Sequence, residues 1–207
     1  MNVPTGKDWP DVASIVRFED GDPDEDPWVQ GRPGREAIEV EPYSHQWPTW
    51  YEAQRAKILA AMPRIALGVE HIGSTAVPGL HAKPVIDIDL IVPDPEREAD
   101  YVPLLESIGF ELTVRERSWY QHRMLRRDDP RVNLHIFGPS CPEHVRHILF
   151  RDWLRQRPVD RQRYHQAKIR AREAASSVQE YNRRKQDVVL EIYRDIFRSR
   201  GWIEGSG

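Results

Sequence analysis

Two aspartates, Asp87 and Asp89, interrupt an otherwise apolar run, Val85 to Val92 (VIDIDLIV). In a strand, successive side chains point to opposite faces. Ile86, Ile88, Leu90 and Val92 therefore share one face, and the two carboxylates share the other. Their Cα atoms would lie ~6.6 Å apart. At that separation two negative charges repel by less than ~1 kcal/mol in water, but by ~2–3 kcal/mol at an effective dielectric near 20. A hard divalent cation, which takes carboxylate oxygens as ligands, would remove that repulsion. A solvated strand face would carry the same alternation, so the pair does not define a site alone. A short way upstream runs the loop Gly73-Ser74-Thr75. A glycine there lets the backbone approach an anion closely, and the two hydroxyl residues offer donors.

Several other side chains could join such a site. Lys83, just before the strand, could reach a phosphate or stay solvated. Arg123 alternates away from Met124 and could face the same cleft as the aspartates, where it would stabilise a transferred phosphate; an ion pair with Asp87 or Glu111 is the plainer alternative. Lys185 interrupts an apolar stripe (Tyr181, Val188, Val189, Ile192, Ile196) and so needs an anionic partner, either a ligand or Asp152. Tyr164 and Lys168 repeat the same four-residue spacing. His71 either braces the loop or faces a ligand. His144 and His147 lie three apart without an evident third zinc ligand. Cys141 is the single cysteine, which rules out an intrachain disulfide, and it reads as an inert residue at a helix start. No Gly-Lys-Ser/Thr follows Gly73 at P-loop spacing.

The elements that must position these residues follow from periodicity and breakers. Pro48 to Met62 reads as a helix stopped by Pro63, and Ile65 to Ile72 as a strand running into the glycine loop. Pro95 to Ser107 reads as a helix ended by Gly109. His122 to Arg126 and Val132 to Phe137 read as strands joined by the turn Arg127-Asp128-Asp129-Pro130. Ser140 with Glu143, and Ser177 with Glu180, have capping-box spacing; the helices they open should reach about Gln156 and Phe197, with another from Pro158 to about Ala174 between them. This order predicts an α/β (α+β) fold, a mixed sheet with helices on one face and a helical C-terminal subdomain. The domain spans 38–199, with a short tail at 200–207. Residues 1–37 contain the acidic, proline-broken run from Glu19 to Pro27 and read as an arm, loosely ordered or wrapped, dispensable for folding.

The 207 residues carry 30 Lys and Arg against 33 Asp and Glu, a formal charge of −3. That balance argues against a long nucleic-acid partner. No run approaches the ~18 apolar residues of a membrane span, and the N-terminus lacks a secretory pattern; a cytoplasmic protein is expected.

The stretch from His71 to Leu80 (HIGSTAVPGL), followed by Ala82 to Ile88 (AKPVIDI), closely resembles the GrpB family (UPF0157), a branch of the nucleotidyltransferase superfamily. The resemblance extends through Val40-Glu41-Pro42-Tyr43, Trp47-Pro48, Asn133 to Ile136, Phe150-Arg151-Asp152, Tyr181 and Lys185, covering about residues 38–197. It implies a nucleotidyltransferase-like sheet that binds a nucleoside triphosphate with Mg2+ or Mn2+. Gly73, Ser74 and Thr75 would cradle phosphates, Asp87 and Asp89 would hold the metal, and Lys83, Arg123 and Lys185 would neutralise charge. The reaction implied is nucleotidyl transfer to a small molecule or protein. Superfamily enzymes usually add a third carboxylate on a later strand. Here that strand presents Asn133 and His135, so His135 would complete the site, as metal ligand or catalytic group, without a third negative charge. A non-catalytic nucleotide-binding or assisting domain is the competing reading, since the family also occurs fused to a coenzyme A biosynthesis kinase; metal-dependent phosphohydrolysis is a third.

Overall fold

In the computed structural model, residues 9–31, 34, 39–175 and 177–204 are described. The expected domain boundary at residue 38 and the last three residues of the tail fall outside them. Five strands form one mixed sheet: β1 (Gly68–Ile72), β2 (Ile86–Ile91), β3 (Glu111–Glu116), β4 (His122–Arg127) and β5 (Val132–Phe137). Their order is β1-β2-β5-β4-β3. Only the β2–β5 pair is parallel; the other three neighbouring pairs are antiparallel. β3, an edge strand, escapes the periodicity reading because ELTVRE is mostly polar and short. Its register with β4 also shifts between Leu112 and Val114.

Helices cover both faces of the sheet, not one. On the first face, Ile86, Ile88, Leu90, Val132, Leu134, Ile136 and Leu125 pack against α2 (Gln46–Ala61) and α3 (Glu98–Glu106) through Trp47, Ile58, Tyr101 and Leu105. β2 and β5 can lie side by side in parallel because α3 and the β3–β4 pair occupy the chain between them. The second face carries Asp87, Asp89, Asn133 and His135 and is overlooked by the C-terminal helices α4 (Pro142–Gln156), α5 (Pro158–Ala174) and α6 (Val178–Ser199). Those helices have their own core, built from Val145, Leu149, Leu154, Tyr164, Ile192, Tyr193, Ile196 and Phe197. Among the described residues, no helix is long and apolar enough to cross a membrane.

Of the two predicted capping boxes, one provides a serine N-cap. Ser177 Oγ accepts from the Glu180 amide at 3.1 Å and opens α6. α4 instead starts at Cys141 with Pro142 in its first turn and no side-chain cap. Proline fixes the helical φ by itself, and Glu143 is drawn to Arg146 and His147 instead. Cys141 is buried, which pushes its thiol up to about 12, as an inert cysteine requires.

In its described residues the N-terminal arm is wrapped against the domain. A short helix, α1 (Val12–Val16), buries Ile15 completely in the C-terminal core. Arg146, itself fully buried, donates through Nη1 to the carbonyls of Ser14, Ile15 and Arg17. Further along, Glu25 accepts from the amides of Arg117 and Ser118, and Trp28 bridges to Val114 on the edge strand. The acidic run from Glu19 to Pro27 thus serves as a carboxylate anchor for the turn after β3, a role composition could not reveal.

Candidate active site

The second face of the sheet and the C-terminal helices enclose a cleft of about 900 Å3, lined by Gly73, Ser74, Lys83, Asp87, Asn133, His135, Lys168 and Lys185 among others. Asp87 and Asp89 do share this face, and register places Asp87 beside Asn133 and Asp89 beside His135. They do not share an environment. Asp87 is partly open, with 27% of its side chain exposed. Its Oδ1 accepts from Asn133 Nδ2 at 3.0 Å and lies 4.0 Å from His135 Nε2. Burial pushes its carboxyl up, but His135, Asn133 and the charge of Lys185 outweigh that and hold it below the usual range.

Asp89 is fully buried beneath α4. Its carboxylate accepts from His144 Nδ1 and His147 Nδ1, each at 2.9 Å. Against the cost of burial, these two imidazoles keep Asp89 ionised well below the usual carboxylate range. His147 is only half-buried; burial pulls it down, but Asp89 and Glu143 outweigh that and raise it well above an ordinary histidine. The expectation of two carboxylates repelling each other across one cation therefore fails at Asp89, whose charge is matched from within the protein. Among the described residues, no group of three or more His, Cys, Asp or Glu side chains is arranged to hold a metal ion. The spacing of His144 and His147 was visible in the sequence; that their common partner would be Asp89 needed the fold.

Gly73 belongs to Asp87. Its backbone sits at φ 71°, ψ −170°, a conformation essentially reserved for glycine. A Cβ there would fall 2.4 Å from Asp87 Oδ2. The glycine lets the loop close directly over the carboxylate. Gly73→Ala should therefore cost about 1–3 kcal/mol in stability from backbone strain alone and push Asp87 off its position; unfolding midpoints of the purified variant check the first part.

Thr75 departs from the phosphate-cradle expectation. It is 1% exposed, and its hydroxyl donates to the Val85 carbonyl at 3.1 Å while facing His71 Nε2 at 3.1 Å. Since the hydroxyl proton goes to Val85, His71 must donate from Nε2. Burial holds His71 down to about 4, so it is neutral, and it stacks on Tyr51 at 4.6 Å. His71 and Thr75 brace the loop; Ser74 and Thr75 both line the cleft, and Ser74 is the more exposed of the two. From α4, Arg151 donates to the His71 carbonyl and Arg155 to that of Ala76, so these arginines hold the loop as well and are not merely a solvated face.

Arg123 is a correction. β4 pairs antiparallel with β5 so that Met124 lies opposite His135 and Arg123 opposite Ile136. Met124 and Arg126 consequently line the cleft, while Arg123 points to the other face and pairs with Glu98 of α3 at 2.6 Å. It pairs with neither Asp87 nor Glu111, and it touches no part of the site.

Lys83 and Lys185 do line the cleft. Lys185 lies over the Tyr181 ring at 5.0 Å; Asp152 is taken by Arg151 and Arg155. The repeat of this pair in α5 turns out to matter. Lys168 is 2% exposed, donates to the His81 carbonyl at 2.6 Å and sits over Tyr164. Burial, then the neighbouring Lys185, pushes its ammonium down to about 7, with only partial relief from Asp87.

A mixed five-stranded sheet with a glycine loop closing over a strand carboxylate, walled by lysine-bearing helices, defines an α/β domain with a cleft lined by basic side chains. The chain belongs to the GrpB protein family, whose pattern it matches over residues 37–195. It is 40% identical over 164 residues to a UPF0157 protein of Halalkalibacterium halodurans, covering 79% of this chain and 84% of that protein. The crystal structure of the conserved protein GrpB from Enterococcus faecalis is similar at 27% identity and a TM-score of 0.60, over 75% of this chain and 99% of that one. The chain is also 30% identical over 193 residues to part of a dephospho-CoA kinase of Mycobacterium leprae, covering 46% of it.

Proposed function

We propose that the chain is a nucleotidyltransferase-superfamily domain that binds a nucleoside triphosphate with one divalent cation in this cleft. The observation that carries the reading is the charge lining the cleft, where Lys83, Arg126, Arg131, Arg151, Lys168 and Lys185 stand against the two carboxylates Asp87 and Glu143. Such a cleft favours a ligand with several negative charges, and phosphates supply them. Asp87 Oδ1 and His135 Nε2, 4.0 Å apart, would share a cation by closing less than ~1 Å, because adjacent ligands with ~2.1 Å bonds to one ion stand ~3.0–3.4 Å apart. An oxygen–imidazole pair suits Mn2+ better than Mg2+. The cation would polarise the phosphoryl group under attack. Ser74 and Lys83 would meet phosphate oxygens, with transfer of the nucleotidyl group to a small-molecule or protein nucleophile as the reaction class.

The burial of Asp89 under two histidines favours a second reading, nucleotide binding without turnover, since it removes one expected cation ligand. A thermal-shift series separates the outcomes. A nucleoside triphosphate with Mn2+ should raise the unfolding midpoint more than either alone, because a ligand at a hundred times its Kd adds about 2.7 kcal/mol to stability. Asp87→Ala should keep the fold and abolish the synergy. Pyrophosphate release by the stabilised complex would establish transfer, its absence would establish binding alone, and no shift with any nucleotide would end the proposal.

A further inference from the structure

A row of side chains behind the cleft has no role in the reading so far. Glu116, at the end of β3, places Oε2 2.6 Å from His122 Nδ1. His122, at the start of β4, places Nε2 3.0 Å from His135 Nδ1. The two imidazoles are near parallel, with 23° between their planes, and His122 stacks on Phe137 at 4.9 Å. His122 is 4% exposed. Two consecutive non-glycine residues, Tyr120 and Gln121, both at φ 52°, deliver the chain to it. Left-handed backbone of this kind persists only where the surroundings enforce it.

Hydrogen-bond directions along this row follow from what each atom can do. An ionised carboxylate only accepts, so the proton between Glu116 and His122 sits on His122 Nδ1. A neutral imidazole with its proton on Nδ1 has a lone pair on Nε2, which must accept from His135 Nδ1–H. In the neutral ring, the form a cation ligand must take, that leaves the lone pair of His135 on Nε2, the atom facing Asp87 across 4.0 Å of the cleft; a second proton taken up there turns to the Asp87 carboxylate. The nitrogen proton is thus held at the back of the site and the basic nitrogen at the front.

We propose that Glu116 and His122 are positioning residues that lock His135 in the tautomer protonated on Nδ1, so that Nε2 confronts Asp87 as a ready ligand for a divalent cation. The inference rests on the reading of Asp87 and His135 as a cation-holding pair. It assigns the outer support of that pair to two residues that touch neither the cation nor the nucleotide. Supports of this type orient a ligating imidazole and raise its basicity. Without the lock, His135 would be free to adopt the Nε2-protonated form that histidine side chains favour in water, which has no lone pair on the nitrogen that faces Asp87.

The test reads the tautomer directly, in the full-length protein without added metal. Long-range proton–nitrogen correlation spectra of 15N-labelled protein distinguish a protonated ring nitrogen from a bare one, and His135→Gln identifies the resonances. The expected wild-type result, read on the alkaline side of the ring's titration, is a protonated Nδ1 and a bare Nε2 on His135. His122→Phe keeps the stacking on Phe137 and removes the acceptor; it should move His135 toward protonation on Nε2 and weaken Mn2+ binding, followed by calorimetry with Mn2+ alone, by ~10–100-fold. Glu116→Gln should preserve the lock, because the amide oxygen still accepts from His122, whereas Glu116→Leu should loosen it; these variants also decide the matter if His122→Phe does not fold. A wild-type His135 protonated on Nε2, or a tautomer indifferent to His122→Phe, overturns the lock. A locked His135 in a protein that takes up no Mn2+ overturns the cation-site reading and leaves the lock standing, so the two failures are distinguishable.

Discussion

Asp89→Asn should destabilise the protein by about 3–5 kcal/mol, the cost of removing one partner from a buried, hydrogen-bonded charge pair. The substitution leaves no cavity, since the amide has nearly the shape of the carboxylate. What changes is charge and acceptor capacity. Two imidazole Nδ1 groups converge on Asp89, and a neutral amide can neither accept as strongly from both nor balance a protonated His147. The loss should appear as a lower denaturant midpoint with an unchanged slope. Its pH dependence has a definite sign. Asp89 is depressed in the folded state, so its contribution is complete above the ordinary value of 3.8 and lost as pH falls toward the folded value. His147 is raised, so its contribution is complete below the ordinary 6.5 and lost as pH climbs through the folded value. The gap between wild type and variant should therefore be widest between about pH 3.8 and 6.5. A cost below about 1 kcal/mol in that window would show that Asp89 does not join the sheet to α4.

Removing residues 1–30 should also cost several kcal/mol, in contrast to what the composition of the arm suggests. Ile15 is completely buried, and returning such a side chain to water loses about 1.5–3 kcal/mol. The larger effect falls on Arg146, fully buried, which would lose the three carbonyls of Ser14, Ile15 and Arg17. Tyr120 and Glu143 would remain its partners. An under-satisfied buried cation is more expensive than a missing contact. The diagnostic measurement is a double-mutant cycle. Arg146→Met should be destabilising in the full chain and markedly less so, or stabilising, in the truncated one. Equal effects of Arg146→Met in both backgrounds would show that the arm does not serve this arginine.

Much of the candidate site was legible because it is local. The alternation of VIDIDLIV determines that Asp87 and Asp89 share a face whatever the strand pairs with, and Gly73 announces a backbone that only glycine adopts. The Ser177–Glu180 cap and the proline-bounded helices are likewise local hydrogen-bonding and steric matters, settled within one turn. The β4 strand was also legible, but which of its faces meets the aspartates was not. A shift of one residue in pairing exchanges every side chain between faces, and the register with β5 gave the cleft Met124 and Arg126 in place of Arg123. The same holds for the buried charges. His144, His147, Arg146 and Lys168 look in sequence like ordinary polar positions on helices, and nothing local says that 55 residues separate His144 from its carboxylate. Desolvation is a property of the assembled fold: only when α4 closes over the sheet does Asp89 lose water and gain two imidazoles, leaving Asp87 as the carboxylate of the pair that opens to the cleft. The sequence alone thus determined which polar residues share one face of β2 and its loop; the tertiary structure decided which of them open to the cleft, because charge pairing and burial depend on neighbours the chain reaches only by folding.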